Sequence, residues 1–156
     1  MTKGLQKFFF DSVFVPNCDI IGEVNQGWKV AMATASSERG LTLRSPGRFL
    51  ASAAKLIELF KQSKTKNAEL KNQVLSAWMQ AEAYQLYTLQ SVTKIKSGES
   101  LGASASLNKI FWSEMDIELH ETALALLGDN AELESNWLKA YQFALSGPIY
   151  AGTNEI

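Results

Sequence analysis

Few residues in this chain are of types that do chemistry, and the carboxylate set apart by its surroundings is Glu38. The stretch from Gly27 to about Ser63 reads as one long helix, with Trp28, Val30, Met32, Phe49, Leu50, Leu56, Ile57, Leu59 and Phe60 recurring at three- and four-residue spacing. At a hundred degrees per residue, the positions near Glu38 on that helix are Gly27, Ala31, Thr34, Ala35, Thr42 and Ser45. All are small, so the carboxylate stands on a low-bulk stripe against which something other than a large side chain could lie. The competing reading is a solvated surface glutamate, the commoner fate of this residue type. A single histidine, His120, and a single cysteine, Cys18, make no triad or metal cluster unless the fold unites them, and no zinc spacing is present. A phosphate-binding loop and a dinucleotide-binding glycine motif are also absent. What remains is proton transfer by a carboxylate, or no chemistry.

The elements that must position Glu38 follow from composition and periodicity. A chain of 156 residues, 46% apolar and 20% charged, fits one soluble domain. Its net charge is −1 with scattered Lys and Arg, which argues against nucleic acid as a partner. The lone cysteine suits a reducing compartment. No apolar run is long enough to span a bilayer, and residues 1–7 lack the apolar core of a signal peptide, so the expectation is a cytoplasmic protein with no membrane partner.

Lys7–Val15 is aromatic and β-branched and predicts one strand with a bend at Asp11-Ser12. Such a strand has nowhere to pair in an otherwise helical chain and would need an edge from another copy or another domain. Pro46 should kink the first helix. A second helix is predicted over about 67–96, its buried face carrying Leu70, Val74, Ala77, Ala81, Tyr84, Thr88, Val92 and Ile95. A third covers about 102–127 on Leu107, Ile110, Ile117 and Leu124, with Gly128 as a left-handed cap. A short fourth covers about 132–145, carrying Trp137, Leu138 and Tyr141. Ser146-Gly147-Pro148 ends it. The fold class is therefore all-α, a four-helix up-down bundle preceded by an orphan β-strand. Trp28, Trp78, Trp112 and Trp137 are assigned to core or subunit interface. At the end of the chain Thr153 could cap a new helix at Asn154-Glu155, which suggests a bundle domain over 27–156 cut short at its C-terminus.

Four segments in order, FFFDSVFVPNCDIIGEVNQGWKVAM (8–32), SSERG (36–40), HETALALLGDN (120–130) and GPIYAGTNEI (147–156), resemble the C-terminal domain of the acyl-CoA dehydrogenases. The resemblance covers nearly the whole chain, and its first and last segments are the specific ones. It implies a C-terminal four-helix bundle from an oligomeric flavoprotein, with residues 1–26 as the end of a preceding β-barrel domain. It also implies removal of the α-proton of an acyl-CoA by a carboxylate while the β-hydride passes to FAD, giving a trans-2-enoyl-CoA, with electron-transfer flavoprotein as acceptor. Many members carry the base where this chain has Ala151. A second branch, with the isovaleryl- and long-chain-type enzymes, places it on the first bundle helix directly before an Arg, as in Glu38-Arg39. By the resemblance, the backbone N–H at Ala151 donates to the thioester carbonyl and Arg39 lies near the thioester and CoA. Ala35 and its small neighbours form the wall for the acyl chain, and Tyr150 lines the cleft. Thr153, Gly128 and Gly152 fall on the cofactor side.

Two departures from the family bear on partners. The Arg-x-x-Phe-Gly segment, which grips the pyrophosphate of a neighbouring subunit's FAD, has no counterpart in 62–71. Where Gln-Ile-Leu-Gly-Gly is common, this chain has Ala125-Leu126-Leu127-Gly128-Asp129, which loses an amide donor and adds a carboxylate. The expectations are no FAD on the chain alone, and an unlike acyl-CoA dehydrogenase subunit as partner. The overall pattern is similar to bacterial members acting on bulky acyl-CoAs such as steroid side chains. The alternative is a non-catalytic helical assembly subunit without FAD.

Overall fold

The computed structural model describes residues 9–33, 44–65, 67–150 and 152–155. The chain divides into two compact units, Met1–Ser36 and Ser37–Ile156.

In the first unit, residues 9–16 are irregular, with a bend at Asp11-Ser12 and Ser12 at φ 52°. The predicted strand is not formed in its described part, because a strand is held by ladder hydrogen bonds and no described residue offers it an edge. Phe9, Phe10 and Phe14 are accordingly exposed. A 3-10 turn over Asn17–Asp19 leads to Gly22 at φ 81°, where an added Cβ would come within 2.9 Å of Val30. Only glycine fits that turn. Residues 27–33 are helical.

The second unit is the helical bundle, as expected. Four helices are described: α1 (Pro46–Gln62), α2 (Ala68–Lys96), α3 (Ser104–Leu127) and α4 (Asn136–Ala144). Pro46 does not kink a continuous helix; it starts one. Ser45 is driven out of the helical region (ψ 119°) by the proline ring that follows, and Pro46 takes a first-turn position whose N–H would be unpaired anyway. Asn67 caps α2 by accepting from the Glu69 and Leu70 amides, at 2.8 and 3.4 Å. Gly128 closes α3 at φ 54° and ψ −125°, so its φ is positive but it lies outside the left-handed helical basin predicted for it. The fourth helix begins later than expected. The chain first makes a 3-10 turn at Gly128–Asn130, and the effective cap is Ser135, which accepts from the Leu138 amide at 3.1 Å.

Phe49 and Leu56 of α1 pack with Val74, Ala77, Ala81 and Tyr84 of α2 and with Trp112, Met115, Leu119 and Ala123 of α3. Phe49 meets Tyr84 edge-on, with centroids 5.1 Å apart. α3 contacts each of the other three helices, and α1 reaches α4 through the Arg48 side chain, which lies over the Phe143 ring. The buried face of α3 is not the predicted one: Leu107 is 63% exposed, whereas Asn108, Asp116 and His120 are buried. Apolar residues surround α3 on all sides, so periodicity alone could not choose the inward face. On α2 burial stops at Ser91, leaving Val92 and Ile95 exposed. Of the tryptophans, Trp112 is buried, Trp137 packs partly on the core, and Trp28 is exposed. No helix among the described residues is long and apolar enough to cross a membrane.

Candidate functional site

α3 presents a polar stripe to the rest of the bundle. Lys109, Ser113, Asp116 and His120 recur at helical spacing, so they stack along one face. In its middle, the almost fully buried Asp116 carboxylate accepts from Arg48 of α1 at 2.7 Å. His120 Nδ1 lies 2.6 Å from the Asp116 carbonyl, which requires the proton on that nitrogen, and 3.3 Å from the Asp116 carboxylate. The imidazole packs edge-on against Trp137 of α4.

At the N-terminal end of the stripe, Lys109 and Ser113 receive the segment after α4. Lys109 Nζ donates to the carbonyls of Pro148 (3.0 Å) and Gly152 (2.7 Å) and to Asn154 Oδ1 (2.8 Å). Asn154 donates from its side chain to Ser113 Oγ at 3.1 Å and from its backbone to Pro148 O at 3.0 Å. Gly147 permits this approach: a Cβ there would lie 2.9 Å from Ala144 O and 3.2 Å from both Trp112 and Ser113.

Tyr150 is thereby laid beside Trp112, with centroids 6.1 Å apart. The Arg44 guanidinium stacks on both rings, at 5.0 Å from Trp112 and 5.3 Å from Tyr150, and donates to the Tyr150 hydroxyl. The Arg44 carbonyl in turn accepts from the buried Tyr84 hydroxyl at 2.9 Å. Burial pushes the Tyr84 phenol up, against smaller pulls from Thr88, Asn108 and Arg44. The Glu155 carboxyl is held below its usual range, first by a hydrogen bond from the Thr153 side chain.

Of the sequence-derived site residues, Tyr150, Gly152 and Thr153 share this segment. Gly128 lies at the opposite end of α3, on the order of 24 Å from Trp112 along the helix axis. Ala35, Glu38, Arg39 and Ala151 lie outside the described residues. Sequence reasoning missed Arg44, Lys109 and Asn154. The available signal was Lys109, the one lysine in α3. Among the described residues no cluster of ligands suits a metal ion.

Near the C-terminal end of α3, a groove of about 330 Å³ is lined by Gln73, Gln80, Glu118, Glu121, Thr122 and Ala125. Two of these are carboxylates and none is a cation, and the exposed Asp129 follows Gly128. With two carboxylates and no cation, the groove lacks the positive charge that the diphosphate of a dinucleotide needs.

Comparison with known proteins places the chain. Residues 25–156 match the family model for the acyl-CoA dehydrogenase C-terminal domain. The chain belongs to that family. Acyl-CoA dehydrogenase IpdE1 of Mycolicibacterium smegmatis is 28% identical over 156 residues, covering 95% of this chain and 38% of the relative. A 3-(aryl)acrylate reductase of Clostridium sporogenes is 28% identical over 154 residues, covering 94% and 41%. Among solved structures, butyryl-CoA dehydrogenase from Megasphaera elsdenii superposes with a TM-score of 0.77 at 24% identity, covering 90% of this chain and 39% of that one. A variant of the Tcur3481-Tcur3483 steroid ACAD gives 0.75 at 18% identity, covering 94% and 41%. The chain thus spans about two fifths of the length of the relatives it matches.

The burial of the Tyr84 hydroxyl sets a pH dependence. Because the folded phenol titrates above its unfolded value, unfolded Tyr84 loses its proton first, and the stabilisation present below about pH 10 is lost as pH rises through the folded value. Urea midpoints between pH 8 and 10.5 should fall for the wild type and fall less steeply for Tyr84→Phe. Equal slopes would contradict the burial of that hydroxyl.

Proposed function

We propose that this chain is the C-terminal bundle of a FAD-dependent acyl-CoA dehydrogenase that converts an acyl-CoA thioester to the trans-2-enoyl-CoA. The observation that carries the reading is Glu38-Arg39 inside the family-matched span, in a chain whose position 151 holds alanine. Glu38 takes the α-proton. Apolar surroundings would raise its pKa toward that of an effective base. The backbone N–H at Ala151 donates to the thioester oxygen and stabilises negative charge developing there, a role the alanine side chain leaves intact. Arg39 holds the thioester and CoA end, while Ala35 and its small neighbours give the acyl chain room. FAD, when bound, accepts the hydride leaving the β-carbon. Tyr150, Gly152 and Thr153 lie on the segment that would face it. Residues 1–26 would complete a β-barrel whose other strands come from elsewhere.

A bulky acyl group, of the steroid side-chain class, is the substrate we favour. The small residues Thr34, Ala35 and Thr42 near Glu38 in the sequence support it, as does the likeness to the steroid ACAD variant. The acidic groove lined in part by Ala125 supports an unlike partner subunit, as does the carboxylate of Asp129 four residues on in the sequence. This chain keeps the residues for its own cleft and lacks a pyrophosphate grip for a neighbour's. A different subunit would supply that grip to the flavin in the Glu38 cleft. The same groove favours a second reading, a helical assembly subunit without chemistry.

In the flavin-containing complex, Glu38→Gln should lower turnover by at least about 10²–10⁴-fold with acyl-CoA binding largely retained. Unchanged turnover would return Glu38 to a surface role. The absorbance ratio of flavin to protein in that complex should give one FAD per pair of unlike subunits. One FAD per chain, or an active homo-oligomer, would rule out the partner assignment.

A further inference from the structure

Lys109 has a geometry that core packing does not call for. A half-buried ammonium on α3 is aimed at two backbone carbonyls and a side-chain amide of one short segment, all within 3.0 Å. The two carbonyls belong to Pro148 and Gly152, on either side of Tyr150 and Ala151. Three acceptors match the three donors of an ammonium, so the contact fixes the segment in more than one direction. Asn154 completes the arrangement by bridging Lys109, Ser113 and the Pro148 carbonyl. The described residues at 145–150 and 152–155 form no regular helix or strand, so the backbone of that segment depends on such side-chain ties.

We propose that Lys109, with Asn154 as its partner, is a positioning residue that holds the segment at Pro148, Gly152 and Asn154 for the backbone donor role assigned to residue 151 above. The inference rests on the dehydrogenase reading above and adds a residue that reading did not need. Lys109 touches no reacting atom. Its effect comes through the segment it holds, since a donor misplaced by about 1 Å can cost on the order of 10²-fold in rate.

Two measurements on Lys109→Met, Lys109→Arg and Asn154→Ala test this. The first is hydrogen exchange of the full chain, read on peptides covering 147–155 and on α3. Lys109→Met should speed exchange in 149–154 by about tenfold or more while α3 keeps its protection, and Lys109→Arg should restore part of it. Unchanged exchange, or loss of protection throughout α3, overturns the proposal. Should Lys109→Met fail to fold, Asn154→Ala carries the same test with the ammonium intact. The second is steady-state turnover of the flavin-containing complex. Here kcat should fall about 10- to 100-fold with KM within about threefold, partly rescued in Lys109→Arg. Faster exchange with unchanged kcat overturns the positioning role. A wild-type complex without turnover overturns the dehydrogenase reading and the catalytic role with it, while the exchange result alone still decides whether Lys109 holds the segment.

Discussion

The Asp116 carboxylate is nearly sealed from water at the centre of the bundle, and a buried charge tolerates no vacancy in its surroundings. Removing it from solvent costs several kcal/mol unless a partner of opposite sign and further hydrogen bonds compensate. Arg48 provides the first at 2.7 Å and remains about one-third exposed, so its own desolvation is lighter. Its guanidinium also stacks on Phe49 and Phe143, at 5.4 and 5.5 Å, which ties α1 to the last helix through one side chain. Asp116 Oδ1 is buried without a hydrogen bond among the described residues, and His120 Nδ1 lies 3.3 Å from it. The angle at which α1 meets α3 is therefore restricted by a requirement harder than apolar packing.

The rest of the bundle follows from that same face. Lys109 and Ser113, two turns and one turn before Asp116, gather the segment carrying Tyr150. His120, one turn after it, receives Trp137 of α4. α3 thus works as a spine whose polar residues each recruit a different element, while Trp112, Met115, Leu119 and Ala123 fill the space between. Arg44 closes the arrangement from the other side. Its carbonyl is held by Tyr84, and its guanidinium lies against Trp112 and Tyr150. The chain entering α1, at Arg44, and the segment carrying Tyr150 are fastened to the same aromatic cluster, although they lie 106 residues apart in sequence.

Much of the helical architecture was legible in the sequence, because α2 begins at an asparagine cap and stops at Ser97-Gly98, and Gly128 closes α3. What was hidden has physical causes. Pro46 was read as a kink because apolar spacing continues across it, yet the restriction proline places on Ser45 separates the elements. The strand expected at 7–15 rested on β-propensity, which reports fit to a sheet surface and forms nothing without a neighbouring edge. The inward face of α3 was hidden because apolar residues lie on every side of that helix, so spacing could not show that its polar residues turn inward. Their partners, Arg48 and Asn154, lie on other elements and could not be assigned before the fold was known. The candidate site was legible only as motifs. Tyr150, Gly152 and Thr153 fall together because they are contiguous, whereas the tripod of Lys109 joins residues about forty apart and left no periodic signal.

A double-mutant cycle on Arg48→Met and Asp116→Asn in urea denaturation tests whether this buried pair organises the bundle. Arg48→Met alone leaves a buried, unpaired carboxylate and should cost toward the lower end of about 3–5 kcal/mol, given the partial exposure of the arginine. Asp116→Asn should cost less, since Arg48 can turn to solvent. The double variant should recover much of the loss, with a coupling of at least about 1.5 kcal/mol. Costs that add to within about 0.5 kcal/mol would show that Arg48 and Asp116 act independently and would contradict the account.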